Sequence, residues 1–187
     1  MTSLVLIKHS MPDVKADIPS KQWTLSDEGR ERSVKLAGYL KQYKARCIYT
    51  SLEPKAIQTG EVVSNQLNLP HKTVRDVHEN DRTHMKYLPR NEYETIFKEY
   101  FANPSKRIVG NETAEDAAKR FDKAVKKVMK EDKERDIILI THGTVMSLFV
   151  NEDNDVDVFN LWNSLQLPSI IELSMPDFQI RKIVEEI

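Results

Sequence analysis

Two short runs of consecutive apolar residues dominate the hydrophobic pattern of this chain. Residues 4–7 (Leu-Val-Leu-Ile) and residues 137–140 (Ile-Ile-Leu-Ile) consist of branched side chains and are bounded abruptly by polar ones. Runs of this length and composition are typical of strands buried on both faces of a parallel sheet. Each run is followed closely by a histidine, His9 after the first and His142 after the second. The pattern therefore predicts two buried strands that both end at an imidazole.

Amphipathic segments between these strands predict helices. Thr24 or Ser26 is expected to cap a helix with an acidic first turn, and Pro54 to open a second that continues to about residue 67. The residues predicted to form the buried stripe of the first helix are Leu36, Ala37, Leu40 and Tyr43. A third helix is predicted over residues 91–101, a long one after a capping box at residues 113–116, and a short one ending near residue 149. Residues 151–157 are predicted to form an acidic loop.

The remaining apolar segments predict further strands and, with them, the fold class. Strands are expected over residues 46–50 and, more weakly, 72–77, and residues 169–174 and 178–184 are expected to form a hairpin. Strands that alternate with helices favour an α/β domain. We expect three α/β/α layers, with a mostly parallel central sheet whose antiparallel edge is the hairpin. No repeat or shift in composition marks a second domain, so residues 1–187 are expected to form one.

Composition excludes several classes of function. Charged residues make up 30% of the chain and the formal net charge is −1, which favours neither nucleic acid nor a membrane surface as a partner. The first apolar run is too short for a secretory signal, so a cytoplasmic protein is expected. Cys47 is the only cysteine and is expected to be buried. With five glycines and neither a Gly-x-Gly-x-x-Gly nor a phosphate-loop motif, a nucleotide fold built on such turns is not expected.

The candidate chemistry lies where the predicted strands end. Ligands of open α/β sheets bind at the carboxyl ends of the strands, so His9 and His142 are expected to face one pocket with Lys8 and Lys55. Lys55 falls in the first turn of a predicted helix, where a cation is unfavourable unless an anion binds beside it. A phosphate or phosphoryl group fits such a pocket. A strand-end histidine can equally be structural and a single lysine merely solvated.

A metal site is not expected. The remaining histidines have a spacing that fits no compact ligand pattern, and no partner cysteines accompany them. These histidines are His71, His78 and His84. Neither a metal nor another cofactor is therefore expected.

Several motifs in order resemble those of a known family. Lys8-His9-Ser10 resembles the Arg-His-Gly signature of the histidine phosphatase superfamily, which has the phosphoglycerate-mutase-like fold. Residues 50–59 resemble the family's Ser-Ser-x-x-x-Arg-Ala-x-Gln-Thr segment, and residues 141–143 its Ser-His-Gly. Weaker resemblances lie at residues 25–29, 77–79 and 110–115. Because the set follows the family order over nearly the whole chain, it is more specific than any one motif.

The resemblance implies a phosphatase that acts on a small phosphorylated metabolite. His9 would be the nucleophile and form a phosphohistidine, Glu79 would protonate the leaving oxygen and then activate water, and His142 would stabilise charge on the phosphoryl oxygens. Lys8, Lys55 and Ser10 would bind the phosphate. The assignment of Glu79 is open, because two other glutamates lie nearby in the sequence, Glu92 and Glu94.

The chain departs from the family pattern at the phosphate-binding arginines. Both are lysines here, Lys8 and Lys55, which keep the charge but lose the planar fork that holds two phosphate oxygens. Candidates for a replacement guanidinium are Arg82, Arg90 and Arg107. The departure leaves open a phosphate-ester-binding or regulatory module with little turnover. A phosphoglycerate mutase is disfavoured, because the segment between Glu79 and Thr113 is short for a lid, and an unrelated α/β protein remains a further alternative.

Overall fold

The computed structural model describes residues 2–82, 85, 87–132 and 134–187, and within them a six-stranded sheet between two layers of helices. Its strands are β1 (Ser3–Lys8), β2 (Ile48–Thr50), β3 (His71–Thr73), β4 (Ile137–Thr141), β5 (Ser169–Ser174) and β6 (Ile180–Val184). Its helices are α1 (Asp27–Leu40), α2 (Pro54–Leu67), α3 (Arg90–Ala102), α4 (Ala114–Glu131), α5 (Gly143–Asp153) and α6 (Val158–Ser164).

The strand order is β3-β2-β4-β1-β5-β6, with β1, β2, β3 and β4 parallel and β5 and β6 antiparallel to their neighbours. The predicted mostly parallel sheet with an antiparallel edge hairpin is confirmed. The two central strands β1 and β4 are the apolar runs that dominate the sequence, and they pair in register from Leu4 with Ile137 to Lys8 with Thr141. Their carboxyl ends, and the histidines that follow, therefore lie side by side.

Alternation along the central strands divides the core between the two faces of the sheet. Leu4 and Leu6 point into a core formed with α3, α4, α5 and α6, whereas Val5 and Ile7 point into a smaller core formed with α1 and α2. A strand with both faces covered must be apolar at every position, and β1 is buried throughout except at Lys8. Cys47 is buried, as predicted.

Four of the predicted helices form close to the expected places. Ser26, one of the two predicted caps, accepts a hydrogen bond from the backbone N–H of Gly29, and Thr113 forms the predicted capping box with Asp116. Pro54 is the first residue of α2, and α3 begins at Arg90. The capping residues therefore gave the most accurate helix boundaries.

Other predicted boundaries are wrong. Tyr43 lies beyond the end of α1, half-buried, where its hydroxyl donates to Glu172. The third strand is His71–Thr73, earlier than predicted, because the chain leaves the sheet before Asp76, which has a positive φ of 67°. Helix α5 continues through residues predicted as loop to Asp153. Helix α6, which was not predicted, begins after Asp157, whose carboxylate accepts from the N–H of Asn160 at 2.8 Å.

No helix in the described part of the chain is both long enough and apolar enough to span a bilayer.

Candidate active site

The two strand-end histidines meet at one point of the structure. The ring centroids of His9 and His142 are 5.2 Å apart in an edge-to-face arrangement, and both side chains are buried. This proximity follows from the parallel pairing of β1 with β4, which continues one residue further through the hydrogen bond from the N–H of His9 to the carbonyl of Thr141. The structure thus brings together two imidazoles that are far apart in sequence.

His9 is oriented as a neutral imidazole with a free lone pair. Its Nδ1 lies 2.8 Å from the carbonyl oxygen of Ser10, and because a carbonyl can only accept, Nδ1 carries the proton and Nε2 does not. Burial, together with the positive charge of Lys55 and the nearby His142, holds the pKa of His9 well below its ordinary value. Near neutral pH, His9 therefore presents an unprotonated Nε2, as a nucleophile requires.

Ser10 is fully buried and holds this arrangement through its backbone. Its N–H donates to the hydroxyl of Thr59 at 3.1 Å, and that hydroxyl donates in turn to the carbonyl of Lys55 at 2.7 Å. The carbonyl of Ser10 is thereby fixed where it accepts from His9. The Ser10 hydroxyl has no partner among the described residues.

His142 packs against the start of the segment that resembles the family's arginine motif. Its Nε2 lies 2.8 Å from the hydroxyl of Ser51 and 3.4 Å from a carboxylate oxygen of Glu53. Its Nδ1 is buried and has no hydrogen-bond partner among the described residues. Burial, followed by the charge of Lys55, lowers the pKa of His142 well below its ordinary value. This ring is therefore neutral as well.

Two lysines and an arginine line the cavity in which His9 lies. The cavity has a volume of about 160 Å³, and Lys8, Lys55 and Arg82 all contribute to its wall. The Lys8 ammonium donates to the carbonyl of Leu165 at 2.6 Å, and its stem crosses Gly143, where a Cβ atom would lie 3.2 Å from Lys8 Cε. Burial lowers the pKa of Lys8 to about 8. With Arg90, four described cationic side chains line this cavity, which indicates a site for an anion.

Lys55 is the more engaged of the two lysines. It is 3% exposed, and its ammonium donates to the carbonyl of Ser20 at 2.7 Å and to the carboxylate of Glu53 at 2.5 Å. Burial lowers the pKa of Lys55, and the Glu53 carboxylate opposes that shift. The anion at the N-terminus of α2 is therefore the chain's own Glu53, a residue that the sequence analysis did not single out. A buried glutamate two residues before a buried lysine carries no recognisable signal in the sequence.

Glu79 reaches the same cavity and is held by backbone donors. Its carboxylate accepts from the N–H of Asn80 at 2.9 Å and from the N–H of Thr144 at 3.3 Å, and Arg82 Nη2 lies 3.7 Å away. Burial alone would raise the pKa of Glu79, but Arg82, His142 and the Asn80 N–H outweigh it, so the pKa lies below its ordinary value. Glu79 is therefore ionised in the free protein.

Of the three arginines considered from sequence, the structure places Arg82 deepest in the site. Its guanidinium lies over the rings of Tyr93 and Phe97, with centroid distances of 5.3 and 5.5 Å, and its Nη1 is buried without a partner among the described residues. Arg90 also lines the cavity but is bound to Glu94 and to Asn163. Arg107 is not among the residues that line it.

The other candidate acids and histidines lie elsewhere or in other roles. Glu92 and Glu94 sit on α3 and do not line the cavity, whereas Glu79 does. His71 shares a hydrogen bond with Thr50, and His78 is close to Arg120. His84, the third histidine weighed as a metal ligand, lies outside the described residues. Within the described part of the chain, no group of three or more potential ligands is placed to hold a metal ion.

The arrangement matches known proteins in both sequence pattern and fold. The family profile of the histidine phosphatase superfamily (branch 1) matches residues 4–181. No curated protein matches the chain by sequence. A mycobacterial glucosyl-3-phosphoglycerate phosphatase superposes with a TM-score of 0.79 at 16% identity, covering 100% of this chain and 99% of the other.

Two further solved structures have the same fold. YhfR of Bacillus stearothermophilus has a TM-score of 0.75 at 20% identity, covering 100% of this chain and 98% of its own. A phosphoserine phosphatase of Entamoeba histolytica, in complex with 3-phosphoglyceric acid, has a TM-score of 0.78 at 13% identity, covering 98% and 97%. At these identities the likeness shows the fold, and the phosphoglycerate-mutase-like fold implied by the sequence resemblance is confirmed. Because the family profile spans nearly the whole sequence, the chain belongs to the histidine phosphatase superfamily, branch 1.

Proposed function

We propose that this histidine phosphatase hydrolyses phosphate monoesters of small metabolites through a phosphohistidine on His9. The observation that carries the proposal is the geometry at His9, whose Nδ1 faces the Ser10 carbonyl, so that a neutral ring leaves Nε2 unprotonated in a cavity lined by four described cationic side chains. Solved relatives whose names include phosphoserine and glucosyl-3-phosphoglycerate support a small phosphate monoester as substrate. A cytoplasmic location stays a prediction from sequence.

In the first step, His9 Nε2 attacks phosphorus as the bond to the leaving oxygen breaks. The leaving alkoxide needs a proton, and Glu79 is the carboxyl group that lines the cavity. Because Glu79 is ionised in the free protein, the proton enters with the substrate as the phosphate monoanion and passes through Glu79 to the leaving oxygen. The products of this step are the free alcohol and the phosphohistidine.

In the second step, water replaces His9 on phosphorus. Glu79, now a carboxylate again, takes a proton from the attacking water, and inorganic phosphate leaves with that oxygen. The N–H groups of Asn80 and Thr144 hold the carboxylate in one position for both steps. No metal is needed, because the side chains supply the nucleophile, the proton carrier and the positive charge.

His142 and the cations stabilise the charge on the transferred phosphoryl group. His142 is fully buried behind His9 and does not itself line the cavity, so its Nδ1, which has no partner among the described residues, contacts a phosphoryl oxygen only if the bound phosphate reaches past His9. Lys8, Lys55 and the hydroxyl of Ser10 contribute further positive or donor groups. Stabilisation of this kind provides most of the catalysis in phosphoryl transfer.

The titration of Lys8 predicts that kcat/KM depends on pH. With a pKa of about 8, its ammonium is charged below that pH and loses its proton above it, so the phosphate site loses a cation as the pH rises. Arginine stays charged throughout. We expect the ratio of kcat/KM of Lys8→Arg to that of the wild type to rise above about pH 8, since substrate ionisation cancels in the ratio. A lysine with this pKa titrates between roughly pH 6.5 and 9.5. A ratio that stays constant over that range would contradict a role for the Lys8 charge.

A second candidate function is a phosphate-ester-binding module with little turnover. One observation favours it: the Lys55 ammonium is already bound to Glu53 and to the Ser20 carbonyl, so a phosphate competes with these contacts. If this is the function, the double variant Lys8→Arg/Lys55→Arg should raise kcat/KM by about tenfold or more, because two planar forks are restored. A gain below about threefold would favour the phosphatase instead.

The experiment that tests the phosphatase is hydrolysis of 4-nitrophenyl phosphate by the wild type and by His9→Ala. Loss of activity in His9→Ala supports the proposal. Equal rates above background in both proteins would remove His9 as the nucleophile.

A further inference from the structure

A larger apolar cleft opens directly from the reaction cavity. Its volume is about 360 Å³, against about 160 Å³ for the cavity that contains His9. The two share part of their walls and are therefore adjacent. The shared residues are Pro12, Ser20, Trp23, Arg82, Arg90, Tyr93 and Leu167. A volume of this size is within the range of small-molecule binding sites.

The wall of the cleft combines two arginines with a larger set of apolar side chains. Beyond the shared residues, every described side chain that lines it is apolar or aromatic. These residues are Met11, Val14, Ile18, Met85, Tyr87 and Leu88. Among the described residues that line the cleft, none is acidic. An ammonium group on the substrate would therefore meet two arginines and no carboxylate there.

Hydrogen bonds fix one wall of the cleft in place. The indole N–H of Trp23 donates to the carbonyl oxygens of Lys15 and Ile18, at 3.0 and 3.2 Å. The N–H of Asp13 donates to the carbonyl of Thr24 at 2.8 Å, which ties the same loop to the start of α1. The loop is thus folded around an indole ring, and the cleft exists before a ligand binds.

The opposite wall rests on an aromatic stack. Tyr93 packs on Phe97 with ring centroids 4.4 Å apart and contacts Trp162 at 5.6 Å. Arg82 lies over Tyr93 at the boundary between the cleft and the reaction cavity. The space is therefore cationic where it holds phosphate and apolar beyond Arg82.

Two apolar side chains at the cleft are exposed to solvent. Val14 is 49% exposed and Tyr87 is 58% exposed, and both are among the five large apolar side chains that are exposed in the described part of the chain. Both side chains line the cleft, so a ligand bound there would cover part of their apolar surface.

We propose that this apolar cleft, defined by Trp23, Tyr93, Val14, Tyr87 and Leu88, binds an apolar ring on the leaving alcohol of the substrate. The substrate class is then phosphate monoesters of aryl alcohols or of alcohols that carry an apolar ring. This inference rests on the proposed function, because it places the phosphate of the same molecule at His9. Binding of the ring orients the ester with its phosphorus toward His9 Nε2.

The test compares phenyl phosphate with 2-naphthyl phosphate, whose leaving groups have similar basicity but differ by one ring. We expect kcat/KM for the naphthyl ester to exceed that for the phenyl ester by about tenfold. In Val14→Ser/Tyr87→Ser, that ratio should fall to about two, because the wall that covers the second ring is lost. Val34→Ser is the matched control: Val34 is 45% exposed on α1 and does not line the cleft, so the ratio should not change.

Binding of phenylphosphonate and 2-naphthylphosphonate, which cannot be hydrolysed, separates the cleft from the chemistry. Calorimetry should show tighter binding of the naphthyl compound to the wild type and to Val34→Ser, and a smaller difference in the double variant. Equal affinities would overturn the cleft proposal even if His9-dependent hydrolysis is present. A naphthyl preference without any hydrolysis would support the cleft and overturn the proposed function. A higher kcat/KM for phosphoserine or 3-phosphoglycerate than for 2-naphthyl phosphate would also overturn the assigned substrate class.

Discussion

Replacing His9 by alanine is expected to lower kcat for aryl phosphate hydrolysis by at least about a thousandfold, because the covalent route is lost with its nucleophile. The remaining cations still bind phosphate, so the affinity for inorganic phosphate should change by less than about tenfold. The value of kcat is measured by steady-state hydrolysis of 4-nitrophenyl phosphate. The affinity for inorganic phosphate is measured by inhibition for the wild type and by calorimetry for the variant.

The matched control for this variant is His71→Ala. His71 is a partly buried histidine in β3, and its ring contacts the Thr50 hydroxyl and does not line the reaction cavity. It should retain activity within about threefold of the wild type. A loss in His71→Ala as large as that in His9→Ala would mean that both substitutions act by disturbing the fold.

Replacing Glu79 by glutamine is expected to affect the two steps differently. In Glu79 one carboxylate oxygen accepts from Asn80 and the other from Thr144, so glutamine keeps an acceptor for only one of them, and it cannot carry a proton between the leaving group and water. Hydrolysis of an alkyl phosphate, which needs a general acid, should fall by about a thousandfold. With 4-nitrophenyl phosphate, whose leaving group needs no proton, phosphorylation of His9 should continue while hydrolysis of the phosphohistidine slows.

The measurement for Glu79→Gln is a rapid-mixing assay with 4-nitrophenyl phosphate. We expect a burst of nitrophenol equal to the amount of enzyme, followed by slow turnover, and one added phosphoryl group in the intact-protein mass. Glu92→Gln is the control, because Glu92 lies nearby in sequence but does not line the reaction cavity, and it should behave as the wild type. A burst that is absent, with equal losses for alkyl and aryl esters, would exclude Glu79 as the proton carrier.

The parts of this site that could be predicted from sequence are those fixed by strand pairing. The apolar runs at residues 4–7 and 137–140 can only be central strands, and parallel pairing then brings His9 and His142 to the same edge of the sheet. Lys55 follows from Pro54, which sets the start of α2. In each case one local pattern determines where a side chain lies.

The parts that could not be predicted depend on contacts between distant segments. Glu53 is a partner of the adjacent Lys55, of the Glu79 backbone and of His142, and the last two contacts join separate elements and leave no periodic pattern. The sequence does not distinguish Arg82 from Arg90 and Arg107 as the replacement guanidinium, because the packing of Arg82 over Tyr93 depends on the fold. The cleft is likewise formed by three segments between elements and by α3, and their apolar residues are too scattered in the sequence to indicate a common surface.

The two lysines that replace the family's arginines each contact a backbone carbonyl. A compact ammonium can donate to a single carbonyl in a confined space, as Lys8 does to Leu165 and Lys55 to Ser20. Arg82, held on an aromatic face with one nitrogen unpaired, is positioned to supply the planar donor that the lysines lack.

The central claim is that His9 Nε2 attacks a phosphoryl group held by the surrounding cations and His142. A crystal structure of the protein with orthovanadate, which adopts the five-coordinate geometry of phosphoryl transfer, tests it most directly. The account predicts vanadium bonded to His9 Nε2, with its equatorial oxygens contacted by His142 and by Lys8 or Arg82, and Glu79 beside the oxygen opposite His9. Vanadate bound elsewhere, or bound in this cavity without a bond to His9, would contradict it.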